Sequence, residues 1–142
     1  MKSMIFFALG ALTVCLLYLF SPIDAPRPFD VDGPRATVSH IVDGDTLDLK
    51  GVERRIRIWG IDTPERGQNG FHTATEALRQ LTQGQHLTLI PMEIGPDSYG
   101  RTVARLRRDD GLDIGEAMIE GGHAREFCRY SKGYYGTCGA RP

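Results

Sequence analysis

Three carboxylates and two arginines recur at close spacing between residues 45 and 101 of this chain. They sit in the strings Val42-Asp43-Gly44-Asp45-Thr46, Arg57, Ile61-Asp62-Thr63-Pro64-Glu65 and Tyr99-Gly100-Arg101. Acids of this kind hold a hard cation and a water, and arginines grip phosphate through paired N–H donors. Phosphodiester hydrolysis asks for this inventory. Charge on the phosphoryl oxygens must be neutralised, which a cation and arginines do. A water must be activated in line, which a carboxylate one water away from phosphorus does. Few, hard oxygen ligands favour calcium over zinc.

Each residue also has a plainer reading. Asp43 and Asp45 serve as turn residues in many chains, and Asp62 could cap the Thr63-Pro64 turn. Arg57 could be an ion-paired residue on a strand face, Arg101 an ordinary charge at a strand start, and Glu65 a surface acid. His40, His72, His86 and His123 lack ligand spacing and read as structural or surface residues.

The elements that must position these groups follow from periodicity and turn chemistry. Strands are predicted over residues 36–42, 46–49, 53–61, 87–90 and 102–106, with Asp43-Gly44, Lys50-Gly51 and Asp109-Asp110-Gly111 as turns. Ala74, Ala77, Leu78 and Leu81 fall at helical spacing and predict a helix over 72–81, stopped by Gly84. A second helix is predicted over 114–120, capped by Asp113 and stopped by Gly121-Gly122. Five short strands with a late helix suit an α+β domain, a five-stranded OB-type β-barrel with packed helices. Arg57 and Asp62 are an odd number of residues apart, so a regular strand would point them to opposite faces. Gly60 lies between them, and an irregularity is predicted at residues 59–61.

Taken together, Asp-Gly-Asp-Thr at 43–46, Arg57 five residues before Asp-Thr-Pro-Glu at 62–65, and Tyr-Gly-Arg at 99–101 resemble the thermonuclease (staphylococcal nuclease-like) family. The resemblance covers residues 36–127. It implies calcium held by Asp45, Asp62 and the Thr63 carbonyl, with Asp43 behind them. It further implies Glu65 as general base, Arg57 and Arg101 on the phosphate, and Tyr99 against the substrate. The implied activity is hydrolysis of single-stranded or frayed DNA and RNA with little sequence preference, leaving 3′-phosphates and 5′-hydroxyls. The alternative is a catalytically silent OB-type module that binds nucleic acid or a protein. Compared with the best-known member, the stretch 66–70 is short, and Ser98 stands where that member has a substrate-contacting lysine. Both differences remove positive charge beside the substrate path.

Composition sets the remaining bounds. The chain has 17 Lys and Arg against 18 Asp and Glu. Three of each lie within residues 1–35, leaving 14 and 15, and 12 of those 14 bases are Arg. That is no strongly basic nucleic-acid binder, but its bases are of the phosphate-gripping kind. Residues 3–23 carry no charge and, as a helix, would span roughly a 30 Å hydrocarbon core. Residues 1–23 are therefore expected to be a hydrophobic helix that anchors the chain in the cytoplasmic membrane. Cleavage as a secretory signal is the alternative, and the domain is exported in either case. Residues 24–35 read as a proline-rich linker, and 36–142 as the nuclease-like domain.

Cys128 and Cys138 could pair in an oxidising compartment, which would stabilise by about 2.8 kcal/mol in the chain-entropy view; two unpaired thiols are the alternative. With nine residues between them they lack zinc-site spacing. Trp59 reads as a packing residue before a base-stacking one. Tyr130, Tyr134 and Tyr135, with Arg129 and Lys132, belong to a disulfide-tied tail or else to a single-strand stacking surface. No protein partner is expected, and the domain is expected to be a monomer.

Overall fold

The computed structural model describes residues 33–139. The expected hydrophobic segment 1–23 and most of the linker lie outside them. Strand β1 (Arg35–Ile41) turns through Val42–Asp45 into β2 (Thr46–Leu49), with Val42 N–H donating to the Thr46 carbonyl at 3.0 Å. β2 pairs antiparallel with β3 (Ile56–Ile58). β3 runs parallel to β6 (Thr102–Arg108), which pairs antiparallel with the long β5 (His86–Pro96). β5 then pairs antiparallel with β1, so the five strands close in the order β1-β2-β3-β6-β5. Closure removes free strand edges and encloses a core of Leu47, Leu49, Ile56, Ile58, Leu87, Leu89, Ala104 and Leu106.

Two helices cover the barrel. Helix α1 (Phe71–Thr82) buries Phe71, Ala74, Leu78 and Thr82 at helical spacing. Helix α2 (Ile114–Glu120) buries Ile114 and Met118. The Asp113 side chain accepts from Glu116 N–H at 3.1 Å, so the acid satisfies one of the helix's unpaired first-turn donors.

The single strand expected over 53–61 is corrected. β3 holds only Ile56–Ile58, and Gly60 then takes a φ of 73°, a left-handed conformation that glycine adopts without Cβ strain. The chain leaves the barrel and re-forms as β4 (Ile61–Asp62), pairing with β7 (Arg125–Glu126) in a separate two-stranded sheet. The irregularity expected at 59–61 is thus a sharp break. A short helix α3 (Cys128–Ser131) follows β7, and neither element was expected from the sequence. Among the described residues no helix is long and apolar enough to cross a membrane.

Candidate active site

The β1–β2 turn carries Asp45 inward. Gly44 makes this possible, because a Cβ there would lie 2.8 Å from Ala74 Cβ and 3.0 Å from Thr63 Cβ. Asp43 shapes the same turn by accepting Asp45 N–H at 3.1 Å. Asp45 is buried, and its carboxylate accepts Thr46 Oγ1 at 2.9 Å and Thr63 Oγ1 at 3.0 Å. Arg57 Nη2 completes the set at 3.1 Å. Burial pushes the Asp45 carboxyl above the usual carboxylate range; Arg57 opposes that rise and the neighbouring Asp43 adds to it. A buried acid in this condition is short of positive charge.

Arg57 is fixed from both ends of the Gly60 break. Its Nη1 donates to the Ile58 carbonyl at 2.6 Å and its Nη2 to the Ile61 carbonyl at 2.8 Å. These bonds orient the guanidinium over a cavity of about 380 Å³, lined also by Tyr99, Arg101 and Tyr130. Arg101 immediately precedes β6 and is held by Asp97, whose Oδ2 accepts Arg101 Nε and Nη2, both at 2.8 Å. Asp97 Oδ1 accepts the backbone N–H groups of Tyr99 and Arg101, both at 2.9 Å, so one acid shapes the turn and orients the guanidinium. Exposed Tyr99 lies beneath Arg101, whose Cζ is 5.0 Å from the ring centroid.

Asp62, Thr63 and Glu65 line a second, neighbouring depression, of about 470 Å³. Glu65 is exposed there, and its N–H donates to Gln68 Oε1 at 2.8 Å. Asp62 is half-buried and accepts Arg125 Nη2 at 2.6 Å and Nε at 2.9 Å, across the β4–β7 pair. Buried Asp45 links the two depressions: Thr63 from one and Arg57 from the other reach its carboxylate.

The structure therefore joins Asp45, Thr63 and Arg57 directly and sets Arg57 and Arg101 on one cavity. Asp62 does not meet Arg57; its partner is Arg125. Among the described residues, the one set of three His, Cys, Asp or Glu ligand atoms within 4.8 Å is Glu126, Cys128 and Cys138. Both of its sulfurs are committed to a disulfide, so it is no metal site. Asp45 and Asp62 nevertheless fit a hard cation by chemistry. Their donors are oxygens, the Thr63 carbonyl lies on the same loop, and burial leaves Asp45 short of positive charge even with Arg57 beside it.

Sequence reasoning missed three residues. Asp97 had a signal, an Asp three residues before a glycine in a turn. Arg125 had none, because its role depends on the β4–β7 pairing. Glu126 had none either, as a buried acid inside a tyrosine-rich tail.

The profile of the staphylococcal nuclease homologue family matches residues 55–137, more than half of the chain. The chain belongs to that family. A micrococcal nuclease of Shigella flexneri is 35% identical over 109 residues, which cover 69% of this chain and 61% of that protein. A thermonuclease of Staphylococcus intermedius is 32% identical over 103 residues, 63% of this chain and 61% of the relative. An uncharacterized endonuclease of Escherichia coli is 28% identical over 96 residues, with shares of 66% and 61%. The chain thus spans about three fifths of the length of these relatives.

Proposed function

We propose that this chain is a calcium-dependent phosphodiesterase that hydrolyses DNA and RNA with little sequence preference. The observation that carries this reading is the Arg57–Asp45–Thr63 junction. It ties a cavity holding two arginines to a depression holding Asp62 and Glu65. The names of the nuclease relatives agree with it.

Arg57 and Arg101 bind the phosphate from one side and neutralise its oxygens. The carbonyls of Ile58 and Ile61 and the carboxylate of Asp97 hold the two guanidinium groups in place beforehand, which lowers the cost of ordering them on binding. Asp45, Asp62 and the Thr63 carbonyl would hold a calcium ion, with Asp43 setting the turn behind Asp45. Bound calcium would supply Lewis-acid neutralisation of a phosphoryl oxygen. Glu65, an exposed carboxylate, takes the proton from the attacking water. Tyr99 packs against the substrate beside Arg101. These groups address phosphate, cation or water, Tyr99 packs beside Arg101, and none reads a base edge, so little sequence preference follows. The domain acts outside the cytoplasmic membrane, tethered by residues 1–23 or released from them.

Arg101→Ala is expected to lower turnover on single-stranded DNA by orders of magnitude while thermal unfolding stays cooperative. Near-normal turnover in that variant would defeat the mechanism.

A further inference from the structure

The segment after β7 lines the Arg57 cavity with Phe127 and Tyr130, and it is also built around the break that aims Arg57. Its centre is Glu126, which is buried. Burial alone would push this carboxyl up. Four donors outweigh it and hold the group down to about 2: Ser131 Oγ at 2.6 Å, Tyr135 N at 3.0 Å, Thr137 N at 2.8 Å and Thr137 Oγ1 at 2.9 Å. The disulfide Cys128–Cys138 closes the same segment, with Cα atoms 5.6 Å apart. Cys128 is exposed and Cys138 half-buried, so a small thiol can reach the bond.

Four successive carbonyls at the break are shared between this tail and Arg57. Those of Ile58 and Ile61 accept from the Arg57 guanidinium. The two between them face the tail: Tyr135 Oη donates to the Trp59 carbonyl at 3.3 Å, and Phe127 N donates to the Gly60 carbonyl at 2.8 Å. Trp59 itself packs edge-on against Tyr134, ring centroids 5.5 Å apart. The tail therefore holds the two middle carbonyls of the bend whose flanking carbonyls hold Arg57.

We propose that the disulfide-closed tail is a positioning device for Arg57, and that opening Cys128–Cys138 with a dithiol weakens the phosphate grip without unfolding the barrel. The proposal rests on the reading of Arg57 as a phosphate-binding residue. The step is a thiol–disulfide exchange. A thiolate of the dithiol attacks Cys128 Sγ and Cys138 leaves as a thiolate, which takes a proton. The dithiol's second thiolate, formed by loss of its proton, then displaces Cys128, which leaves as a thiolate and is protonated in turn. Two electrons and two protons reach the protein, and the reductant leaves as its own disulfide.

The test measures kcat on single-stranded DNA for the full chain, oxidised and after dithiothreitol treatment. Cys128→Ser/Cys138→Ser is measured beside it, and each form is made in the native and in the Arg57→Lys background. Circular dichroism checks the barrel. Opening the disulfide is expected to lower kcat roughly 10-fold with Arg57 present and less than about twofold in the Arg57→Lys background, since a displacement of about 1 Å is felt only by the group that is displaced. An equal loss in both backgrounds would show general support of the domain and overturn the proposal, as would no loss in either. Tyr135→Phe carries the test if the serine pair does not fold. It removes one hydrogen bond to the Trp59 carbonyl and is expected to cost about threefold with Arg57 present and nothing in the Arg57→Lys background; unchanged turnover would count against the proposal. Undiminished kcat in oxidised Arg57→Lys would instead remove the reading of Arg57 itself, a result separable from the other two.

Discussion

Gly60→Ala probes the joint on which the candidate site turns. The native φ of 73° costs a residue with a Cβ about 1–2 kcal/mol. The new Cβ would also lie 3.0 Å from Tyr135 Cε2 and 3.2 Å from Ser131 Cβ, so the tail must give by a few tenths of an ångström. Reduced freedom of the unfolded chain offsets roughly 0.5 kcal/mol of this. With the close contacts added to what remains, a net loss of about 1–2 kcal/mol is expected, read as a lower midpoint in urea unfolding followed by circular dichroism. Gly84→Ala is the matched control: φ is 69° there and nothing lies within 4 Å of a Cβ. It carries the backbone strain alone and is remote from Arg57. Gly60→Ala should therefore be the less stable of the two. It should also lose turnover by roughly 10-fold or more, because its carbonyl neighbours no longer hold Arg57 in place. Equal destabilisation of the two variants, with equal and undiminished turnover, would refute the argument that the break aims Arg57.

Other expectations follow from single residues. Glu126 is held at about 2 against an ordinary 4.5, so its contribution to stability is full above pH 4.5 and is lost as pH falls towards 2. Glu126→Gln should unfold about 1–3 kcal/mol more easily near neutral pH, because the amide keeps one acceptor oxygen but turns its NH2 toward either the Tyr135 or the Thr137 N–H, and the deficit should shrink in acid. Urea titrations at about pH 7 and about pH 3 check both halves of that statement. Asp97→Ala should lower turnover roughly 10- to 100-fold by freeing Arg101, with rescue by Asp97→Glu only partial. Glu65→Gln should cost about 10²- to 10⁴-fold in kcat with unchanged thermal stability, since the side chain is exposed.

How much was legible in the sequence differs from element to element. Helix α2 was legible to the residue, because Asp113 is a local cap and Gly121-Gly122 a local stop. β2 was equally legible between two turn dipeptides. The strand predicted over 53–61 was too long because apolar residues continue through Ile56, Ile58 and Ile61 while the extended backbone does not. Gly60 gave the warning, but the destination of β4 is set by pairing with a distant strand, Ile61 against Glu126 and Asp62 against Arg125, which no local pattern encodes. The same holds within the site. Asp45 and Arg57 were recognisable by type and spacing, and their contact required barrel closure. Arg125 on Asp62 and the carbonyl sharing around Gly60 are properties of tertiary placement alone.

The most direct measurement is end-group analysis of single-stranded DNA incubated with the full chain, in calcium and in excess chelator, with Glu65→Gln in parallel. Cleavage in calcium that yields 3′-phosphate and 5′-hydroxyl ends, stops with the chelator and nearly disappears in the variant is the predicted result. DNA that is bound but left intact in calcium, or cut equally well by Glu65→Gln, would contradict a glutamate-driven, calcium-dependent phosphodiesterase.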